Sequence, residues 1–199
     1  MKRKFCVLNL TFCIFMCLLS MGLAGCGNDE PVAVRDADEI VSEGWKEYVA
    51  GNFEDAIVRF QEAVEKYPDS SEAFNGIGWS KARLGQIDEA IDEFGRAVTK
   101  DPANVDARAG LAGVYFVDMD YEQAIASANL VLSLQPEYES HHDDIGVDDV
   151  RILLAECYYN TGDYADAKAQ MEIVGGSGGV PPSSNLVGLL SLLEELAEK

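Results

Sequence analysis

The chain has 199 residues, and its 35 Asp and Glu against 15 Lys and Arg give a formal net charge of −20. This balance argues against a nucleic-acid-binding protein, because contacts to a polyphosphate require a basic surface. Apolar residues make up 48% of the chain and recur periodically, which argues against a disordered chain.

The N-terminus has the pattern of an export signal. Residues 1–4 are cationic, and an almost wholly apolar stretch follows from Phe5 to Leu23. The stretch ends in Leu-Ala-Gly-Cys at residues 23–26, which resembles the lipobox of bacterial lipoprotein signal peptides.

The lipobox resemblance implies an exported protein with a lipid anchor. Residues 1–25 would be removed as a signal peptide, Cys26 would carry acyl chains such as palmitate, and residues 26–36 would form an acidic tether. Gly27 stands where an Asp retains enterobacterial lipoproteins in the inner membrane, so the outer membrane is favoured, on its periplasmic or surface face. An uncleaved membrane anchor is the alternative.

The segment 37–174 repeats with a period of 34 residues. Three blocks begin at Ala37, Ser71 and Val105, and a fourth begins at Asp148 after an insertion over residues 139–147. The blocks share columns of small, aromatic and proline residues: Gly44 and Gly78; Ala56, Ala90 and Ala124; Phe60 and Phe94; Pro68, Pro102 and Pro136. Each half-block is an amphipathic segment with helical periodicity.

This pattern resembles the tetratricopeptide repeat, a helix-turn-helix unit that buries its apolar faces by stacking on its neighbours. The resemblance implies an all-α solenoid of about four repeats, over residues 37–70, 71–104, 105–138 and 148–174. A Gly/Pro linker over 175–183 and a C-terminal capping helix over 184–199 would follow. That last helix could instead dock into a partner or into a second copy of the chain.

In this family the concave face is lined by fixed positions of the first helix of each repeat. Those positions hold an aromatic stripe with one base, which we take as the candidate partner-binding groove: Trp45, Tyr48, Asn75, Trp79, Arg83, Phe116 and Tyr159. An acidic residue stands at the second position of each block: Asp38, Glu72, Asp106 and Asp149. Trp and Tyr are favoured interface anchors, although aromatic residues at helical spacing also serve as core. The groove favours an apolar peptide with basic flanks.

Catalytic and metal chemistry have little support in the sequence. His141-His142-Asp143-Asp144 lies in the insertion, where adjacent residues rarely converge on one ion, so a solvated acidic loop is expected rather than a metal site. Cys157 has no nearby base to activate it and is expected to be buried. No enzyme activity, cofactor or metal is therefore predicted.

The combined expectation is a membrane-anchored scaffold or assembly factor of the bacterial envelope. It would bind a peptide segment of an envelope protein in the aromatic groove. The alternative is a lipoprotein that binds a glycan or cell-wall fragment, with Trp45 and Trp79 stacking on sugar faces.

Overall fold

A computed structural model describes residues 36–143 and 145–176. The predicted signal peptide, the predicted lipidation residue Cys26 and the C-terminal segment 184–199 lie outside the described residues. The predictions made for them stay predictions.

The described residues form eight α-helices in four consecutive pairs. They are α1 (Ala37–Val49), α2 (Phe53–Lys66), α3 (Ser71–Arg83), α4 (Ile87–Lys100), α5 (Val105–Val117), α6 (Tyr121–Leu134), α7 (Val147–Thr161) and α8 (Tyr164–Gly176). In this part of the chain the only β-pairing is an isolated antiparallel bridge between Glu139 and Gly146. The prediction of an all-α fold is therefore confirmed.

The helix boundaries follow from caps and turn glycines. The side chains of Asp36, Ser70 and Asn104 each accept a hydrogen bond from a backbone N–H in the first turn of the helix that follows. Gly51 and Gly85 have φ values of 82° and 75°, so they end the first helix of their repeats in the left-handed conformation that glycine adopts without strain. The helices α1, α3 and α5 begin at the first residues of the predicted blocks. Helix α7 begins one residue before the predicted block, and α8 runs two residues into the predicted linker.

Two phenylalanine rings fill the joints between the first three repeats. The ring of Phe60 is 0% exposed and lies between Gly44 and Gly76. A Cβ added at Gly44 would stand 2.6 Å from that ring, and one added at Gly76 would stand 2.3 Å from it. The ring of Phe94 fits between Gly78 and Gly110 in the same way. Only glycine leaves room for the rings, which explains the columns of small residues.

The joint to the fourth repeat uses different side chains. Alanines stand at 112 and 128, where the earlier repeats have Gly and Phe, and they pack in a cluster with Val131, Val150 and Leu154. Large side chains on α7 thus fill the volume that a phenylalanine ring fills in the earlier joints.

The solenoid has an inner and an outer side because the first helices of successive repeats contact one another directly. Helix α1 contacts α3, α3 contacts α5, and α5 contacts α7, whereas the second helices pack between the first helices of two successive repeats. The first helices therefore line the concave side, which is the side predicted to bind a partner. None of the helices described for this chain combines the length and apolar character needed to cross a membrane.

Candidate functional site

The concave groove divides into a covered half and an open half. The covered half is formed by α1 and α3, with Trp45, Tyr48 and Arg83. The open half is formed by α3, α5 and α7, with Trp79, Phe116 and Tyr159. We use these two names below.

Three of the predicted groove residues on α1 and α3, namely Trp45, Tyr48 and Asn75, are core rather than surface, whereas Arg83 is exposed. Trp45 is 6% exposed and Tyr48 is 3% exposed, and both belong to the cluster around Phe60. The Trp45 indole meets the Tyr48 ring edge-on at 5.3 Å between centroids and the Phe60 ring at 5.0 Å. Asn75 is fully buried, and its Oδ1 has no hydrogen-bond partner among the described residues. The core alternative therefore describes these three residues better than an exposed stripe does.

The insertion covers this half of the groove. The ring of His142 stacks on Trp45, with 3.7 Å between centroids and 13° between planes. The Tyr48 hydroxyl donates a hydrogen bond of 2.8 Å to Oδ2 of Asp143, and Oδ1 of Asp143 lies 3.6 Å from a guanidinium nitrogen of Arg83. The expectation of a solvated acidic loop is wrong for these two residues, because both of their side chains lie against the groove.

Three of the four acidic residues at the second position of the blocks contact the insertion or the residue next to it. Glu72 accepts a hydrogen bond of 3.0 Å from the Trp45 indole and lies 3.9 Å from Nε2 of His142. Asp106 accepts a 2.7 Å hydrogen bond from the Tyr138 hydroxyl, and Asp149 accepts one of 2.8 Å from the backbone N–H of Gly146. These three carboxylates are thus hydrogen-bonded within the chain.

Burial and neighbouring charge shift the pKa values of these groups. The pKa of Glu72 is raised, first because burial disfavours the carboxylate and then because Asp106 is close. Burial also raises the pKa of Tyr48, and the hydrogen bond to Asp143 and its charge add to that rise. The pKa of His142 is lowered, mainly by burial, so the imidazole that stacks on Trp45 is favoured in its neutral form.

The open half contains an apolar cavity. It has a volume of about 260 Å³ and is lined chiefly by small and apolar side chains: Trp79, Ala109, Ala112, Gly113, Ile145, Asp149, Val150 and Leu153. Gly113 occupies the column in which the first two repeats have Trp45 and Trp79, and a Cβ added there would meet nothing within 4 Å. The cavity exists because the third repeat has no side chain at this position.

Phe116 and Tyr159 are partly exposed on the concave side of the open half. Each ring also leans on the first residue of the second helix of its own repeat: Phe116 on Tyr121 at 6.0 Å and Tyr159 on Tyr164 at 5.7 Å between centroids. These aromatic residues therefore pack against the second helix of their own repeat and remain partly exposed.

The described residues offer little for catalysis or metal binding. They contain no group of three or more His, Cys, Asp or Glu that could hold a metal ion. Cys157 is fully buried, and burial raises the pKa of its thiol to about 11, so the reactive thiolate is scarce at neutral pH.

The loop contacts were not predicted from the sequence. Tyr48 and Asp143 are 95 residues apart, and no local pattern connects them. The available signal was the insertion itself, because a segment that breaks a strict period, next to a groove, is a candidate for covering it.

A four-repeat solenoid with an inner groove is the architecture of an interaction scaffold, and the family comparison agrees with that class. Models of the tetratricopeptide repeat match residues 42–80, 75–139 and 149–175. The chain belongs to the tetratricopeptide repeat family. Proteins of such repeat families use their extended concave surfaces for binding.

Solved structures show the same fold at low sequence identity. YrrB, described as a TPR protein with an unusual peptide-binding site, superposes with a TM-score of 0.69 at 18% identity, over 82% of this chain and 78% of YrrB. MamA gives 0.67 at 18% identity, over 81% of this chain and 82% of MamA. PilF of Pseudomonas aeruginosa superposes with a TM-score of 0.65 at 19% identity, over 81% of this chain and 69% of PilF. No sequence among the curated proteins matches this chain.

Proposed function

We propose that this protein is a scaffold or assembly factor of the bacterial envelope that binds a peptide segment of another protein in the open half of its groove. The observation that supports this proposal is the apolar cavity between Trp79, Ala109 and Leu153 on the concave face. Apolar cavities with a few polar groups at the edge are the usual form of a binding site.

The chemistry of the cavity suggests what would enter it. Its walls are aliphatic and aromatic, and Asp149 contributes a carboxylate. An aliphatic or aromatic side chain would fill the space, and a basic residue beside it in the same peptide would meet Asp149. The partner class is thus an apolar segment with basic flanks, in agreement with the strongly negative charge of the chain.

The proposal includes a lipid anchor at Cys26 that holds the solenoid at the envelope, preferably at the outer membrane. Its support is the Leu-Ala-Gly-Cys sequence at residues 23–26, which follows a cationic and then an apolar stretch. Expression with labelled palmitate, followed by mass analysis of the N-terminal peptide, tests this directly. We expect acylated Cys26 in the wild type and loss of label and membrane association in Cys26→Ser; an unlabelled wild type would rule out the anchor.

Filling the cavity tests the peptide-binding role. Gly113→Trp places in the third repeat the residue that the first two repeats carry in this column. Gly95→Trp is the matched control, since Gly95 lies on the second-helix side and its added Cβ also meets nothing within 4 Å. In affinity capture from solubilised membranes, we expect one envelope protein with the wild type and with Gly95→Trp, and its loss with Gly113→Trp.

The helical content of both variants, measured by circular dichroism, must equal that of the wild type. If Gly113→Trp recovers the same protein as Gly95→Trp at the same yield, the open half is not the binding site. A wild type that recovers no envelope protein would contradict the scaffold role itself.

A further inference from the structure

The insertion is attached to the solenoid as a closed loop. The other inter-repeat connections span residues 67–70 and 101–104, whereas this one spans 135–146. Glu139 and Gly146 form an antiparallel bridge, and the backbone N–H of Ser140 donates a 2.9 Å hydrogen bond to the carbonyl of Ile145. The two ends of the loop, Glu139 and Gly146, are therefore adjacent, and the tip of the loop lies against the first two repeats.

The tip contacts the groove as a bound peptide would. His142 supplies a planar ring that lies flat on the Trp45 indole. The next residue, Asp143, supplies a carboxylate whose two oxygens are shared between the Tyr48 hydroxyl and the Arg83 guanidinium. A ring followed at once by a carboxylate thus matches an indole face, a hydroxyl donor and a base, all on α1 and α3.

These contacts are of a kind that can be exchanged. The Arg83 side chain is 56% exposed and that of Asp143 is 14% exposed, so solvent at the guanidinium screens their ion pair and limits the stability that it adds. The His142 side chain is 25% exposed. By contrast, Tyr138 at the base of the loop is 2% exposed and is bonded to Asp106. The base of the loop is fixed in the core, whereas the tip is held by one ring stack, one hydrogen bond and an ion pair to the exposed Arg83.

We propose that the tip of this loop is an internal ligand of the covered half of the groove, and that a partner segment carrying a planar ring directly followed by a carboxylate displaces it. The proposal rests on the proposed function, because it assumes that the groove binds peptides. It adds a second recognition element beside the apolar cavity, with opposite charge preference. Ile145 belongs to the same loop and lines the cavity, so displacement of the tip would also open one wall of that cavity.

An internal ligand regulates its site by competition. A tethered segment acts at a high effective concentration, in the millimolar range for short linkers, so a free peptide binds the intact chain more weakly than the same groove without the loop. The apparent affinity equals the affinity of the uncovered groove multiplied by the fraction of molecules in which the tip is displaced.

Replacement of the loop tests this proposal. The bridged ends allow residues 140–145 to be exchanged for Asn-Gly, a two-residue hairpin connection, with both Tyr138 and Gly146 retained. The probe is a labelled peptide of residues 139–146, added to the full-length chain in detergent and followed by fluorescence anisotropy. We expect it to bind the loop-replaced protein at least tenfold more tightly than the wild type. Circular dichroism and the melting temperature show whether the replaced protein keeps its fold.

Peptide and protein variants identify the contacts. A peptide with Ala at both ring and carboxylate positions, 142 and 143, and a scrambled peptide should each lose at least tenfold in affinity. Arg83→Ala in the loop-replaced protein should weaken the wild-type peptide, whereas Arg59→Ala on α2 should not. Equal binding of the scrambled peptide, or no binding of any peptide to a folded loop-replaced protein, would overturn the proposal.

The two proposals fail separately. If the peptide binds the loop-replaced protein but Gly113→Trp has no effect on protein capture, the internal ligand stands and the open-half binding site falls. If capture depends on Gly113 and the peptide does not bind, the scaffold role stands and the internal ligand falls.

Discussion

The covered and open halves of the groove are built from equivalent positions of one repeat but differ in how accessible their side chains are. In the covered half, Trp45 and Tyr48 are sealed beneath the insertion at 6% and 3% exposure. In the open half, Phe116 and Tyr159 are partly exposed, and a cavity lies at Gly113. Whether the side chains of one repeat column are accessible therefore depends on the segment that packs against them. In this chain that segment is the insertion, which lies outside the repeat pattern.

The largest expected difference between the halves is in how much the free energy of unfolding falls when an aromatic ring is removed. Trp45→Ala should lower the free energy of unfolding by about 3–5 kcal/mol, because a buried indole leaves a cavity among Tyr48, Phe60 and His142. Phe116→Ala, which removes a partly exposed ring, should cost about 1–2 kcal/mol. Urea unfolding followed by circular dichroism measures both. Equal losses would mean that the covered half is not better packed than the open half.

A second comparison places one methyl group in each half. Gly76→Ala should destabilise the protein by about 1–3 kcal/mol, because the added Cβ would lie 2.3 Å from the fully buried ring of Phe60. Gly113→Ala should stabilise it by about 0.5–1 kcal/mol, since it meets open space and alanine favours the helix. The same unfolding measurement applies. Destabilisation by Gly113→Ala to the same extent would contradict the open geometry of that half.

The turn between the paired helices of the third repeat differs from the turns of the other three repeats, which have Gly51, Gly85 and Gly162 with positive φ. Met119 has a φ of 63° in the column where Gly51 and Gly85 stand, and a side chain in the left-handed region is strained. Met119→Gly should therefore raise the free energy of unfolding by about 0.5–1 kcal/mol, after the entropy cost of glycine in the unfolded chain is subtracted. The reverse change, Gly85→Met, should lower it. A loss of stability in Met119→Gly would show that the methionine side chain contributes contacts of its own.

The smallest expected effect is a pH dependence confined to the covered half. Burial lowers the pKa of His142, and the charge of His141 adds to this, whereas the carboxylates of Asp106 and Asp143 oppose it and Glu72 lies 3.9 Å away. The docked ring resists protonation, so a displaced loop binds the proton more readily. Docking of the loop tip on the groove is therefore most favourable above the ordinary histidine pKa of about 6.5, and it weakens as the pH falls below that value.

Acrylamide quenching of tryptophan fluorescence measures this effect. The chain has two tryptophans, so Trp79→Phe leaves Trp45 as the single reporter beneath His142. Quenching should increase as the pH falls from about 7.5 to about 5.5. His142→Asn should remove that dependence, whereas a pH dependence that persists in His142→Asn would assign it to another group.

Much of the fold was predictable because it is set by local and periodic features. The columns of Gly44, Gly78, Phe60 and Phe94 specify both the helix pairs and the way they stack, and each such contact repeats at a fixed distance along the chain. The change to Ala128 in the third repeat weakened the pattern without hiding it.

The candidate site was less predictable because its decisive contacts are not periodic. The sequence placed Trp45 and Tyr48 on the concave side, but their burial depends on a loop tip that belongs to the other end of the array. The sequence at Gly113 indicated only that this column lacks an aromatic residue, although the missing side chain leaves space for the cavity. Side-chain columns predict which way a residue faces, and long-range contacts decide whether it remains accessible.

The bridge between Glu139 and Gly146 has a consequence for how such proteins diversify. Because the two ends of the loop meet, its length and sequence can change while the helices on either side keep their positions. Changes in this one loop could therefore alter what the groove binds while the repeats and their packing stay the same.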